Sequence, residues 1–295
     1  MIIILSLVLL ISSVLSLERP LSLSLISAVV DYDVHSSTSD NIPKSNNLNW
    51  FHLQGNYSTS GRPYSAYYAV FNREYFSFYS ADKEKCDMYN STSDISVKYN
   101  CEFSTNGGFF NTNHSAEGSK CEGNLVSDSY VVQIPTDTSG TKRANLGINN
   151  KNEIIIGFMD NTTIDSILWT QLMTGNGWVV RNGQSYVNSS PDLGGGTSGF
   201  CTEKAPRTAV GMLNNGSMIL LEIDGEEDIN YGPDLHELAD LLVSLGVNTA
   251  INIDGGGSAT AVYNGEVIDY PTCNDTPTEC QRPVVTITCV RKELV

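Results

Sequence analysis

The spacing of apolar and polar positions divides the 295-residue chain into short β-type stretches with one clear helix among them. Ser65–Phe71, Ile95–Tyr99, Glu153–Gly157, Trp178–Arg181, Thr208–Met212 and Ser217–Ile223 are rich in β-branched and aromatic residues, which predicts strands. Asn214-Asn215-Gly216 predicts a hairpin after Met212, and Asn264-Gly265 predicts another between Ala259–Tyr263 and Glu266–Tyr270, because Asn-Gly accepts the positive φ of a tight turn. Asn182-Gly183 offers the same chemistry after Trp178. A helix is predicted from Pro233: Asp234 and Glu237 suit its positive N-terminal end, Leu235, Leu238, Leu241, Leu242 and Leu245 share one face, and Gly246 can cap it. Ile164–Met173 carries a second, shorter helical pattern. Asn248–Ile253 reads as a buried strand delivering Asp254 at its end, and Val284–Val290 as the last strand. Strands dominate, so the predicted class is α+β: a single strand-rich domain over 63–295, with hairpins, a few packed helices and disulfide links. Residues 18–62, rich in Ser, Asn and Asp without strong periodicity, are set apart as a pro-segment, a linker or a loosely packed first strand.

The apolar run over residues 1–17 is short for a membrane span and reads as a signal peptide; an uncleaved anchor is the alternative. Seven Asn-X-Ser/Thr sequons, at Asn56, Asn90, Asn113, Asn161, Asn188, Asn215 and Asn274, fit passage through the secretory pathway, with a secreted or lumenal destination in the Golgi or a lysosome-like compartment. A net charge of −16 disfavours nucleic acid as a partner. The 7 cysteines form no CxxC pair and the 4 histidines are scattered, so no zinc site is read, and in an oxidising compartment three disulfides and one odd thiol are expected. No stretch beyond the signal peptide is read as a membrane span, and no cofactor is expected.

The strongest local chemistry lies in Ile251–Thr260. A strand end presents Asp254, and Gly255, Gly256 and Gly257, followed by Ser258, let the backbone turn sharply and approach a ligand, with amides that can converge on an anion. Asn106, Gly107 and Gly108, followed by Phe109 and Phe110, form a second site of close approach, with the two rings as a wall or a core plug. Arg207 and Arg282 each open a strand and carry the planar donor fork that suits phosphate; Thr208 follows the first. Asp224 ends a strand and supplies a second candidate carboxylate. The letters of Gly194–Gly199 match a dinucleotide-binding loop, but no strand precedes them and no helical pattern follows, so a loop is predicted.

Set in order, these motifs resemble the phosphodiester glycosidase family. The matching residues are Asn106–Phe110, Gly123–Asp128, Arg181–Gly183, Arg207–Gly211, Asp224-Gly225, Ala250–Thr260, Asn264-Gly265, Tyr270-Pro271 and Cys280–Pro283. The resemblance implies the disulfides Cys86–Cys121, Cys101–Cys289 and Cys273–Cys280, with Cys201 unpaired. It implies hydrolysis of a sugar-1-phosphodiester on a phosphorylated glycan or glycoprotein, typically removal of N-acetylglucosamine from a GlcNAc-phospho-mannose diester to expose mannose 6-phosphate. The EGF-like module and membrane anchor of the animal members are not read here. In the expected mechanism Asp254 serves the anomeric carbon as nucleophile or base. Arg207 and Arg282, with the amides of Gly255–Ser258, hold the phosphate, and Asn106, Thr208 and Asp224 orient the sugar. The alternatives are a secreted glycan-binding protein without catalysis and a hydrolase of another sugar phosphodiester.

Overall fold

The computed structural model describes residues 30–36, 45–113, 115, 118–135, 142–272 and 280–294. The expected signal peptide, Cys273 and the Asn274 sequon lie outside them. The described chain is mostly sheet. Four short α-helices accompany it: α1 (Thr92–Lys98), α2 (Asn161–Ser166), α3 (Gly199–Thr202) and α4 (Leu235–Ser244). The predicted α+β class therefore holds only approximately.

Three sheets surround one core, and every described strand pairing is antiparallel. The seven-stranded sheet runs Gln184–Ser185, Trp178–Arg181, Val247–Asn252, Arg207–Leu213, Met218–Ile223, Pro63–Phe71, Asn49–Asn56. The five-stranded sheet runs Glu266–Val267, Ala261–Tyr263, Cys101–Asn106, Thr286–Arg291, Phe76–Ser80. The six-stranded sheet is centred on Asn145–Asn149 and Trp169–Thr174. Alternation places Val210, Met212, Met218, Leu220 and Ile251 on the face turned to the other sheets, where they join Phe76, Phe78, Phe103, Leu146 and Phe158 in the largest apolar cluster. Their neighbours Ala209, Ile219, Leu221 and Ala250 face the other way and pack with Leu235, Leu238 and Leu242 of α4.

Helix α4 starts at Leu235, two residues later than Pro233 suggested. Asp234 is its N-cap, accepting from the Glu237 amide, while the Glu237 carboxylate accepts from the Asp234 amide in a capping box. The Asn182-Gly183 and Asn264-Gly265 hairpins form with positive φ at both central residues. The strands around Asn264-Gly265 are shorter than predicted, at Ala261–Tyr263 and Glu266–Val267.

Two expectations need correction. Ile95–Tyr99 belongs to a helix, not a strand: the Ser91 hydroxyl accepts the Asp94 amide at its start. Ile95 is buried while Val97 is 66% exposed, as a helical turn requires and an alternating strand does not. Ile164–Met173 is not one helix. It leaves α2 at Ile167, whose backbone is already extended, and Trp169–Thr174 becomes a strand with partners on both sides. The Gly194–Gly199 loop has positive φ at Gly194, Gly195 and Gly196; it follows a short 3-10 turn that begins at Pro191 and leads into α3, and Asp192 anchors that turn by accepting from the Gly177 and Ala144 amides.

The segment set apart as 18–62 contributes Asp31–His35, an edge strand of the six-stranded sheet, and Asn49–Asn56, an edge strand of the seven-stranded one. The Arg181 guanidinium stacks 4.1 Å from the Trp178 ring and bonds both Asp31 and Asp33, which fastens the first strand to the body.

Candidate active site

The site forms where the seven-stranded and five-stranded sheets meet. Val247–Asn252 ends just before Asp254, and Cys101–Asn106 ends at Gly107. The two strand ends are stitched together: the Asp254 amide donates to Gly107 O at 3.1 Å, and Asn106 Nδ2 donates to Asp254 O at 2.6 Å. Asn106 is itself fixed, since its Oδ1 accepts from Thr208 Oγ1 at 2.8 Å. Gly107 is required by this approach. A Cβ there would fall 2.4 Å from Thr286 Oγ1, on the strand whose carbonyl the Gly107 amide bonds. Gly256 has φ +56°, a backbone conformation that favours glycine.

Asp254 keeps partial exposure while protein surrounds its carboxyl group. Burial raises its pKa from the ordinary 3.8 to about 7, and the nearby Glu122 carboxylate adds to that rise. The Ser258 hydroxyl, the Gly255 amide and the Arg282 guanidinium act in the opposite direction, favouring the charged form. Arg282 Nη1 lies 3.3 Å from Ser258 Oγ, so the guanidinium, the hydroxyl and the carboxyl form one polar group. A carboxyl that changes charge near neutral pH beside a fixed cation is equipped to handle protons or to attack, and the cation can hold an anionic leaving group.

Several of the expected site residues are bonded within the protein. Asn106 and Thr208 are completely buried and bond each other, and Asn106 also bonds the Asp254 carbonyl. The Gly107 and Gly108 amides are taken by Thr286, at its carbonyl and hydroxyl oxygens. The amides of Gly256 and Ser258 are likewise bonded, to Pro206 O and Gly255 O, so the expected four-amide anion cradle is at most partial. Arg207 is 4% exposed and turns toward α3: Nη2 donates to Phe200 O and Glu203 O, both at 3.0 Å, and the guanidinium lies 4.9 Å from the Phe200 ring. Asp224 accepts from the Tyr270 amide at 3.0 Å and gathers with Glu222 and Asp269. Of the charged residues singled out in the sequence, the structure brings Asp254 and Arg282 together.

Glu122, which acts on Asp254, and its partner Arg143 carry no signal in the sequence. Glu122 follows Cys121 of the Cys86–Cys121 disulfide, and its amide donates to Phe109 O. Its carboxylate accepts from Arg143 Nη2 at 2.9 Å, and the Arg143 guanidinium lies 5.7 Å from the Phe109 ring. Phe109 in turn meets Phe200 edge-on at 6.1 Å, so the wall expected of the paired phenylalanines is built by Phe109, while Phe110 is core. Glu122 and Arg143 come from separate loops, and neither type nor spacing marks them beforehand.

Both complete disulfides within the described residues pair as the resemblance implied, Cys86–Cys121 and Cys101–Cys289. Cys280 is also disulfide-bonded, while its expected partner Cys273 lies outside the described residues. Cys201 is free and buried. Asn56, Asn113, Asn188 and Asn215 are exposed, and Asn90 and Asn161 partly so. No described helix is long and apolar enough to cross a membrane.

The sequence profile of the phosphodiester glycosidase family matches residues 99–291. The chain is similar to N-acetylglucosamine-1-phosphodiester alpha-N-acetylglucosaminidase of Mus musculus, with 35% identity over 210 residues, or 68% of this chain and 39% of that protein. For the Homo sapiens enzyme of the same name the identity is 34% over 203 residues, covering 65% of this chain and 38% of that one. The chain thus spans about two fifths of the length of these relatives. Among solved structures it resembles the zebrafish catalytic domain of that enzyme, auto-inhibited by its pro-peptide, with a TM-score of 0.75, 27% identity, and coverage of 90% of this chain and 89% of that one. A hypothetical protein from Synechocystis shares the fold, at a TM-score of 0.60, 16% identity, and coverage of 88% and 68%.

Proposed function

The chain belongs to the phosphodiester glycosidase family, and from that premise we propose that it hydrolyses a sugar-1-phosphodiester, removing N-acetylglucosamine from GlcNAc-α-1-phospho-6-mannose on glycoproteins and exposing mannose 6-phosphate. The observation that carries this reading is the pairing of Asp254, whose pKa lies at about 7, with Arg282 at the junction of two sheets. Cleavage at the anomeric carbon expels a phosphomonoester, a weakly basic anion that needs little general-acid help. The remaining demands are to stabilise positive charge at the anomeric carbon, to activate or replace water, and to hold the phosphate. Asp254 meets the first two as nucleophile or base, and Arg282 is placed to meet the third. The disulfides and the exposed sequons support a site of action within or beyond the secretory pathway.

The test is incubation of the purified chain with GlcNAc-1-phospho-6-mannose and with sugar-1-phosphodiesters bearing other sugars, both products being identified. Release of free N-acetylglucosamine and mannose 6-phosphate is expected, with Asp254→Asn and Arg282→Ala folded but slow. Glycan binding without release of sugar from any of these diesters would overturn the catalytic reading.

A further inference from the structure

Three carboxyl groups meet on the inner side of the seven-stranded sheet. Glu222 lies on Met218–Ile223, Asp224 just beyond it, and Asp269 two residues after Glu266–Val267. One oxygen from each lies within 4.8 Å of the other two. Glu222 is 1% exposed, directly across from Thr208 and Tyr67 in the sheet, and its Oε2 has no hydrogen-bond partner. Asp269 Oδ1 and Oδ2 are buried and lack a bond of normal geometry, though the Ala261 amide is close enough to favour their charge. Asp224 alone of the three has a good donor, the Tyr270 amide. Burial is the largest influence on all three, and they repel one another; the basic side chain acting on Asp224 is His52, which is itself bonded to Ser65.

Buried acceptors normally find donors, and buried like charges normally find a counter-charge. Here Glu222 Oε2 and both Asp269 oxygens lack a donor of normal geometry, although three carboxyl groups gather. We propose that Glu222, Asp224 and Asp269 bind a hard divalent cation of the Ca2+ class. Calcium takes oxygen ligands at about 2.3–2.6 Å, so oxygens on opposite sides of one ion stand up to about 5 Å apart, whereas Mg2+ at about 2.0–2.1 Å allows only about 4.2 Å and gives up its water reluctantly. Oxygens all within 4.8 Å of one another can surround an ion of this size. All three groups are hard oxygen donors, and no thiol or imidazole belongs to the cluster. The ion would clamp the Asp269–Tyr270 segment against the strand end at Asp224. That junction lies behind Thr208 and Asn106, which hold Asp254, so the clamp supports the site without touching substrate.

The experiment uses the full chain, stripped with chelator and desalted, and Ca2+ alone as the probe. Titration calorimetry at neutral pH is expected to show one ion per chain, with an affinity in the range of extracellular calcium modules, about 10⁻⁴–10⁻³ M or tighter, and thermal unfolding is expected to shift upward as Ca2+ is added. Glu222→Gln and Asp269→Asn are each expected to weaken binding at least about tenfold, by loss of one charged ligand, while Asp254→Asn binds Ca2+ as the unaltered chain does. Absence of both the heat and the thermal shift in the unaltered protein overturns the proposal. So does a shift of undiminished size at the same Ca2+ concentration in Glu222→Gln. A Glu222→Gln protein that is more stable than the original and indifferent to Ca2+, in a background where the original is also indifferent, would identify the cluster as one that shares protons instead.

Discussion

Asp254 sits between opposing influences, and the balance makes it sensitive to pH in two separable ways. Burial places its pKa at about 7, against 3.8 in the open chain. A nucleophile or base must be ionised, so kcat/KM is expected to rise with pH through about 7 and then level. A rate that falls through that range would assign Asp254 the acid role instead. Stability runs the other way. Between 3.8 and about 7 the folded state holds a proton that the unfolded chain has released, so this group lowers stability as pH rises through that window and by a constant amount above it. Asp254→Asn removes the titration. The variant is expected to lose about 10²–10³ in kcat, the scale for one preorganised group, and to gain stability relative to the parent as pH rises, both measurable on the same preparation. Asp254 was legible in the sequence because its signal is local: an apolar strand, a carboxylate, and glycines that only a close approach explains. Arg207 looked equally apt, but a strand-opening arginine can turn to either side of its sheet, and the carbonyls of Phe200 and Glu203 captured it. Glu122 and Arg143 were illegible because tertiary folding alone brings their loops together.

Helix α4 shows how an element acquires stability beyond its own sequence. Its capping box is local, but Glu237 also accepts from Arg62 and Lys204 and from the Ser60 hydroxyl. Burial alone would raise the Glu237 pKa; the bonds from Ser60, the Asp234 amide, Arg62 and Lys204 outweigh it and hold the carboxyl below its ordinary 4.5. The stabilisation is therefore complete above pH 4.5 and lost as pH falls through the depressed value. Glu237→Ala takes one partner from Arg62, which keeps Gly232 O, and one from Lys204, which keeps Asp234, and it removes the Glu237 half of the capping box; it is expected to cost about 2 kcal/mol at neutral pH in denaturant unfolding. At pH 3 the difference between the two proteins should shrink. Helix and hairpins were readable because Asn-Gly turns, caps and a leucine face act over a few residues. The strand Asn49–Asn56 was not readable, because an edge strand exposed along much of its length needs no apolar alternation. Its successor loop nonetheless supplies Ser60 and Arg62 to Glu237, joining the first part of the chain to α4. Helix α1 was misread because Ile95, Val97 and Tyr99 satisfy period two by type while only burial reveals that Val97 faces out.

At the scale of the whole molecule, two disulfides restrain the same site in different ways. Cys101–Cys289 spans 188 residues and joins neighbouring strands of the five-stranded sheet. The chain-entropy relation gives about 5 kcal/mol for such a loop and about 4 kcal/mol for the 35-residue Cys86–Cys121 loop, as upper values. By that measure the long link should matter more, and for stability it should: Cys101→Ser with Cys289→Ser is expected to lower the unfolding midpoint more than Cys86→Ser with Cys121→Ser. For catalysis the order should reverse. Without Cys101–Cys289, the strands that carry Asn106 and Thr286 remain bonded from Ile287 and Asn106 to Val290 and Phe103, and Gly107 still donates to Thr286 O, so Asp254 and Arg282 keep their support. Cys121, by contrast, immediately precedes Glu122, and an isolated bridge between Phe110 and Cys121 is the adjacent backbone tie. Releasing Cys86–Cys121 therefore loosens the segment that sets Glu122 beside Asp254 and Arg143 over Phe109. With Glu122 displaced, one influence raising the Asp254 pKa is weakened. The expected signature is a pH–rate limb moved below about 7 in the Cys86/Cys121 variant and unmoved in the Cys101/Cys289 variant, both assayed at a temperature where each remains folded. Equal displacement of the limb in both would show that the sheet junction, and not the Glu122 segment, sets the charge of the Asp254 carboxyl.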